Sequence, residues 1–130
     1  MKLEPIVWFE EVVKTHQTIA PFIHHTQVVT CPDLNEELGG KYLFKPESLQ
    51  ITGSFKVRGA LSAISRLSKE QLKNGVVAYS SGNHAQGVAH AAKLFKTPAI
   101  VVMPKDAPVK KIENAKALGA EVVFYDRSND

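Results

Sequence analysis

The second half of the chain alternates between short apolar runs and amphipathic stretches. Apolar runs of five or six residues, typical of buried strands, occur at 76–80, 99–103 and 120–125. The stretches between them, 84–95 and 109–119, have helical periodicity, and Gly119 is placed to end the second helix. Strands that alternate with helices over short loops predict right-handed βαβ units. We therefore expect an α/β fold with a parallel sheet and flanking helices.

The N-terminal part has a weaker pattern. Residues 5–18 favour an amphipathic helix with Pro5 near its first turn, and residues 27–30 weakly favour a strand. A short helix is expected to follow and to end at Gly39 and Gly40.

The pattern becomes more regular from residue 41. The apolar run 41–44 predicts a strand, and residues 55–67 predict a helix with Ser54 as its N-cap. Ser68 and Gln71 have the spacing of a capping box, which predicts the start of another short helix.

Length, composition and charge indicate one ordinary globular domain. The chain has 130 residues, of which 44% are hydrophobic and 22% charged. The net charge of +3 comes from 16 basic and 13 acidic side chains that are interspersed, so neither a nucleic acid nor a membrane surface is an expected partner. The single cysteine, Cys31, excludes an intramolecular disulfide and favours a cytoplasmic location. Adjacent His24 and His25 lack chelating spacing, so no metal ligand is assigned.

Two loops lie where strands are expected to pass into helices. One is TGSFK (52–56), and the other is SSGNHAQG (80–87). In parallel sheets ligands bind at this edge, and backbone N–H groups at helix starts favour anions. The second loop adds serine hydroxyls and an asparagine amide, so it predicts a pocket for a carboxylate or a phosphate.

Lys56 stands at the start of the predicted helix that follows the first loop. The positive end of the helix dipole, and partial burial beside Phe55, would favour its neutral amine. A neutral amine can attack a carbonyl group and form a Schiff base. These residues alone are also compatible with an ordinary solvated lysine.

A longer string supports the first interpretation. KPESLQITGSFKVRGA (45–60) followed by SSGNHAQG (80–87) resembles the serine/threonine dehydratase and serine racemase branch of the fold-type II pyridoxal phosphate enzymes. The resemblance extends from about residue 26 to residue 126, and the order and separation of the two motifs also match.

The resemblance implies a role for each motif residue. Lys56 would be the lysine bound to pyridoxal phosphate, and Phe55 would pack on the pyridine ring. Asn83 would hydrogen-bond the 3-oxygen of that ring. Ser80, Asn83 and His84 would hold the substrate α-carboxylate, largely through backbone N–H groups.

The reaction implied by the resemblance is β-elimination. Lys56 would remove the α-proton of a small hydroxy amino acid, and the products would be a 2-keto acid and ammonia. Ser81 leaves a second possibility open, because some dehydratases of the branch have alanine there while racemases have serine. A second base facing Lys56 across the substrate would permit racemisation, whereas an ordinary loop serine would only donate a hydrogen bond.

Members of this family are usually more than twice as long as this chain. Residues 1–52 would belong to the larger domain, and residues 53–130 would form a truncated smaller α/β domain. The later glycine-rich phosphate loop, the partner of the pyridine nitrogen and the carboxylates that bind a divalent metal have no counterpart here. We expect the N-terminal part of an enzyme that is a homodimer or higher oligomer when complete. The alternative is a non-catalytic α/β fragment without cofactor, or a small-anion binder that uses the second loop.

Overall fold

The computed structural model describes residues 7–128. A three-stranded parallel sheet with the order β1-β2-β3 forms its centre. The strands are β1 (Val76–Tyr79), β2 (Ala99–Pro104) and β3 (Glu121–Tyr125). Ala78 of β1 pairs with Val101 of β2, which in turn pairs with Val122 of β3.

The helices of the described residues follow the sequence pattern closely in the second half. They are α1 (Phe9–Ile19), α2 (Pro32–Glu37), α3 (Lys56–Ile64), α4 (Lys69–Asn74), α5 (Asn83–Phe95) and α6 (Val109–Ala117). Short 3-10 turns occupy Ala20–Phe22, Glu47–Leu49 and Ile51–Gly53. The predicted capping box of α4 is confirmed, since the Ser68 N–H donates to Gln71 Oε1 at 2.8 Å and the Gln71 N–H donates to Ser68 Oγ at 3.1 Å. Helix α6 ends at Ala117 with Leu118 as its C-cap. The next residue, Gly119, has a φ of 92°, a conformation that glycine adopts without steric cost.

The core lies on one face of the sheet. Successive right-handed crossovers in the same direction place α5 and α6 on the same side. Ala78, Val101 and Met103 point to that side and are buried. The small side chains of α5 let it approach both the sheet and α3, whose Val57 and Leu61 are fully buried.

The opposite face of the sheet is exposed. Val77 is 72% exposed and Tyr79 is 68% exposed, and Val123 of β3 lies on the same face at 42%. The strand predicted at 76–80 is present as β1, but the prediction that this strand is buried is wrong. The reason is that β1 is an edge strand with α5 on only one of its sides.

The strands predicted at 27–30 and 41–44 do not form. A single antiparallel bridge joins Val29 and Phe44, with N–H···O distances of 2.9 and 2.8 Å. Two residues from Phe44, the Asn35 side chain accepts the Tyr42 N–H at 2.8 Å and the Thr30 hydroxyl donates to the Tyr42 carbonyl at 3.0 Å. These side chains satisfy the backbone groups that a longer ladder would need, so pairing stops after one residue.

Two predicted helix starts are shifted. Helix α1 begins at Phe9 rather than at residue 5, and residues 5 and 6 lie outside the described residues. Helix α3 begins at Lys56 with Phe55 as its N-cap, while Ser54 stands one residue earlier and accepts the Lys56 N–H at 3.4 Å. Among the helices of residues 7–128, none has the length and apolar character needed to cross a membrane.

Candidate active site

The turn that precedes Lys56 has an unusual backbone. Thr52 has a φ of 65° and Gly53 has a φ of 71°, so two consecutive residues lie in the left-handed region. This conformation is rare for a β-branched residue such as threonine. The Thr52 Oγ1 is also buried and has no hydrogen-bond partner among residues 7–128. The turn thus reverses the chain sharply and delivers Lys56 at the first position of α3.

The Lys56 side chain is exposed at this helix start. Its Nζ lies 4.9 Å from the centroid of the Phe55 ring, which is itself 58% exposed. The expectation that Lys56 is partly buried beside Phe55 is therefore wrong for this chain, because no element of the described residues covers the two side chains. The amine and the aromatic face are nevertheless presented together.

The second loop lies at the carboxyl end of β1 and opens α5. The Ser80 N–H donates to the Val102 carbonyl at 3.1 Å, and Ser80 Oγ accepts the Gly82 N–H at 3.2 Å. The backbone N–H of Ser80 is thus used by the sheet, and its hydroxyl proton is the group left for a ligand. Asn83 and His84 are exposed in the first turn of α5, where helix N–H groups have no partner inside the helix.

A close contact between two helices brings these loops together. A Cβ atom at Gly87 would lie 3.1 Å from the carbonyl carbon and oxygen of Lys56 and from the nitrogen of Val57. The second turn of α5 therefore lies directly against the first turn of α3. Since Asn83 is one helical turn before Gly87, the backbone of Lys56 lies about one helical turn from the start of α5.

Lys111 contacts one of the predicted site residues, and the sequence analysis did not single it out. It lies in the first turn of α6, and its Nζ donates to Asn83 Oδ1 at 3.0 Å. The signal that could have found it is topological, because the loop after β2 ends at the same edge of the sheet as the loop after β1.

A polar surface cavity adjoins this edge. It is lined by Tyr79, Ser81, Tyr125 and Arg127 and has a volume of about 490 Å³. The Tyr79 and Tyr125 hydroxyls are hydrogen-bonded to each other, and this bond raises the pKa of the Tyr125 phenol. Of the predicted site residues, Ser81 lies here, while His84 lines a separate groove with Tyr79 and Val88.

A half-buried ion pair anchors the segment that leads into the turn. Arg58 donates to both Glu47 carboxylate oxygens, at 2.7 and 2.8 Å, and the Thr26 hydroxyl donates to Glu47 at 2.7 Å. The hydrogen bonds from Arg58 are the main reason that the pKa of Glu47 is lowered to about 2. The pair ties the 3-10 turn Glu47–Leu49 to α3 and hence to Lys56.

One known protein family matches most of the chain, including both motifs. The model of the family described as "Pyridoxal-phosphate dependent enzyme" matches residues 19–130. The chain belongs to this family. The resemblance predicted from the two motifs is thereby confirmed, as is the α/β fold with a parallel sheet.

Individual relatives are ammonia-lyases and racemases. The chain is 50% identical to an L-threo-3-hydroxyaspartate ammonia-lyase of a Pseudomonas species, over 92% of this chain and 37% of the relative. It is 46% identical to the L-threonine ammonia-lyase of Thermotoga maritima, over 92% of this chain and 30% of the relative. The crystal structure of serine racemase from Dictyostelium discoideum superposes with a TM-score of 0.87 at 42% identity, covering 91% of this chain and 38% of that chain. The chain thus spans about a third of the length of these relatives.

Enzymes of this family use pyridoxal phosphate, and the donor set at this edge suits that group. Lys56 offers a primary amine beside an aromatic ring, and the start of α5 offers unpaired backbone N–H groups. Asn83 and the positively charged Lys111 add donors for an anionic oxygen. The side chains and backbone groups at this edge are therefore of the chemical types that can hold the cofactor.

Proposed function

We propose that the complete protein is a pyridoxal phosphate-dependent ammonia-lyase that converts a small hydroxy amino acid into a 2-keto acid and ammonia. The observation that carries this proposal is the packing of Gly87 against the backbone of Lys56, with a Cβ position 3.1 Å from the Lys56 carbonyl. It places the backbone of Lys56 against the second turn of α5, one turn after a helix start suited to a carboxylate.

Each residue has a defined part in the proposal. Lys56 would hold the cofactor through its amine and, once the substrate amino group has displaced it, would remove the α-proton of the substrate. Phe55 presents its ring to the flat face of the cofactor, and Asn83 donates to its 3-oxygen. The Ser80 hydroxyl and the first N–H groups of α5, including that of His84, hold the substrate α-carboxylate. When bound, the cofactor supplies the electron sink that makes the α-proton acidic.

The names of the relatives suggest the substrate class. One relative acts on L-threo-3-hydroxyaspartate and another on L-threonine, both of which bear a β-hydroxyl group. We include L-serine because the structural relatives contain serine racemase. The same relatives support racemisation as a second candidate activity, with Ser81 as the second base.

A labelling experiment on the protein at its full natural length tests the proposal. Purified protein with pyridoxal phosphate should absorb near the violet edge of the visible range, and borohydride should fix the cofactor mass on the peptide that contains Lys56. Lys56→Ala should abolish the band and the release of keto acid, whereas Lys110→Ala should retain both, because Lys110 is 80% exposed and pairs with Glu113. Label on Lys45 or any other lysine would refute the assignment of Lys56.

A further inference from the structure

Two adjacent lysines at the start of α6 have different surroundings. Lys110 is 80% exposed and forms a surface ion pair with Glu113 at 3.5 Å. Lys111 is half-buried and reaches back to the α5 start, where its Nζ donates to Asn83 Oδ1 at 3.0 Å. A Cβ atom at Gly82 would lie 3.5 Å from the same Nζ, so the ammonium group also lies against the loop backbone.

The chemistry of lysine fixes the orientation of the Asn83 amide. An ammonium group has three donors and no acceptor, so the atom that it meets must be the amide oxygen. The NH₂ group of Asn83 is consequently the end left for a ligand, and it can only donate. Without Lys111 the amide could turn and present its oxygen instead, which would repel an anionic ligand oxygen.

The charge of Lys111 acts in the same direction. The N-terminal end of α5 already carries partial positive charge, and an ammonium group bonded to Asn83 adds a full one. Both features favour negative charge on whatever oxygen accepts the Asn83 N–H.

We propose that Lys111 is a positioning residue, which holds the Asn83 amide with its NH₂ group toward the cofactor and stabilises negative charge on the accepting oxygen. This inference rests on the proposed function, since it takes Asn83 as the residue that contacts the cofactor. It adds a residue from the first turn of α6, the helix after β2, to the two loops that carry the motifs.

The test compares Lys111→Met with Lys110→Met in the protein at its full natural length. Affinity for pyridoxal phosphate is measured by fluorescence titration, and the absorption band of the bound cofactor is recorded as a function of pH. We expect Lys111→Met to weaken cofactor binding about tenfold, because a tenfold change corresponds to about 1.4 kcal/mol, near the low end for a hydrogen bond to a charged group. Lys110→Met should match the wild type.

The pH titration gives a readout that a merely structural role would not move. Removing a nearby positive charge makes the chromophore retain its proton to higher pH, so the midpoint of the absorption change should rise in Lys111→Met and stay constant in Lys110→Met. Thermal unfolding of the two apo variants should agree, which shows that the fold is intact.

A double-mutant cycle with Asn83→Ala decides whether Lys111 acts through Asn83. Adding Lys111→Met to Asn83→Ala should cause a clearly smaller loss of cofactor affinity than Lys111→Met causes alone, because only the direct effect of the lysine charge remains. Full additivity, or equal affinities and pH midpoints for Lys111→Met and Lys110→Met, would overturn the inference while leaving the proposed function in place. A wild-type protein that binds no pyridoxal phosphate would instead overturn the proposed function, and this inference with it.

Discussion

Thr52 carries the conformational cost of the turn that delivers Lys56, because its neighbour Gly53 adopts the left-handed region without steric cost. A β-branched residue in the left-handed region costs roughly 1–3 kcal/mol, and Thr52 has a φ of 65°. Its buried Oγ1, which has no partner within residues 7–128, adds a desolvation cost. Such strain persists only where the surroundings impose it, and here it lies four residues before the candidate catalytic amine.

Ser81 distinguishes elimination from racemisation at the residue scale. It lies half-buried in the loop before α5, and if it is a second base, only the proton transfer on its own face depends on it. Ser81→Ala should then reduce racemisation by roughly 100-fold or more, because general acid–base catalysis contributes about 10²–10⁴. β-Elimination from the L-substrate should remain near the wild-type rate. Chiral chromatography of the amino acid and a keto-acid assay measure the two rates.

The neighbouring serine provides the control for Ser81. Ser80→Ala removes the acceptor of the Gly82 N–H and should slow both reactions together. Equal loss of both activities in Ser81→Ala would make Ser81 a general binding residue. A parent enzyme without racemisation would end this interpretation of Ser81.

The contact between α3 and α5 sets the geometry of the site at the element scale. Gly87 and Gly59 both lie inside helices, and replacing a helical glycine with alanine gains about 0.5–1 kcal/mol when space allows. A Cβ at Gly59 would meet nothing within 4 Å, whereas one at Gly87 would lie 3.1 Å from the backbone of Lys56. Gly59→Ala should therefore stabilise the protein, and Gly87→Ala should give no gain or a loss.

Urea unfolding of the two alanine variants measures this difference. Overpacking costs about 1–3 kcal/mol, which exceeds the gain in helix propensity at Gly87. The movement of α5 away from α3 that a Cβ at Gly87 requires should also displace Lys56. Cofactor affinity should therefore fall in Gly87→Ala but not in Gly59→Ala. Equal stabilisation by both substitutions would show that α5 can move away from α3 without cost.

The ion pair between Glu47 and Arg58, which joins two elements, makes the stability of the fold depend on pH. The pKa of Glu47 is lowered to about 2 in the folded protein from an ordinary 4.5. A carboxyl group with a lowered pKa stabilises the fold at pH values above 4.5, and this contribution is lost as the pH falls toward 2. Glu47→Gln should therefore cost about 2 kcal/mol at pH 7, because it leaves Arg58 without its charged partner.

Unfolding by urea at pH 7 and at pH 3.5 checks this prediction. The difference in the free energy of unfolding between wild type and Glu47→Gln should shrink at the lower pH. A difference that stays constant between the two pH values would mean that the Glu47 charge contributes nothing to stability.

The whole molecule has one covered and one exposed sheet face. Val77 and Tyr79 are 72% and 68% exposed on the open face, and exposed apolar surface of this kind favours association. The chain also spans only 37% and 30% of the two ammonia-lyase relatives, so most of their residues have no counterpart in it. If residues of that larger part complete the ammonia-lyase site, residues 1–130 alone lack the groups that hold the cofactor and substrate in position.

Residues 1–130 expressed alone should therefore have no measurable ammonia-lyase activity. Positioning of reacting groups can supply roughly 7–11 kcal/mol of barrier reduction, and losing much of it would put turnover below detection. The assay adds pyridoxal phosphate and measures keto-acid release from L-serine, L-threonine and L-threo-3-hydroxyaspartate. Turnover comparable with an intact enzyme, abolished by Lys56→Ala, would show that these residues suffice for the site.

Local sequence pattern was sufficient for most of the second half of the molecule. Strands β2 and β3, helices α5 and α6 and the capping box of α4 were predictable because hydrophobic periodicity and caps act over a few residues. The position of the 80–87 loop at the carboxyl end of β1 also followed from the pattern. The 52–56 loop was expected to follow a strand as well, and this was wrong, because 3-10 turns precede it and it reaches the start of α5 only through the packing of α3 against α5. The family could be identified from residues 45–60 and 80–87 because each of these motifs is contiguous in the sequence.

Tertiary structure decided the features that depend on which distant residues meet. The strands expected at 27–30 and 41–44 reduce to one bridge because Thr30 and Asn35 take the hydrogen bonds of Tyr42. Lys111 reaches Asn83 across 28 residues, and Gly87 meets Lys56 only after two helices have packed. Periodicity describes which face of an element is apolar, but it contains no information about the partner on that face, and only the folded chain supplies it.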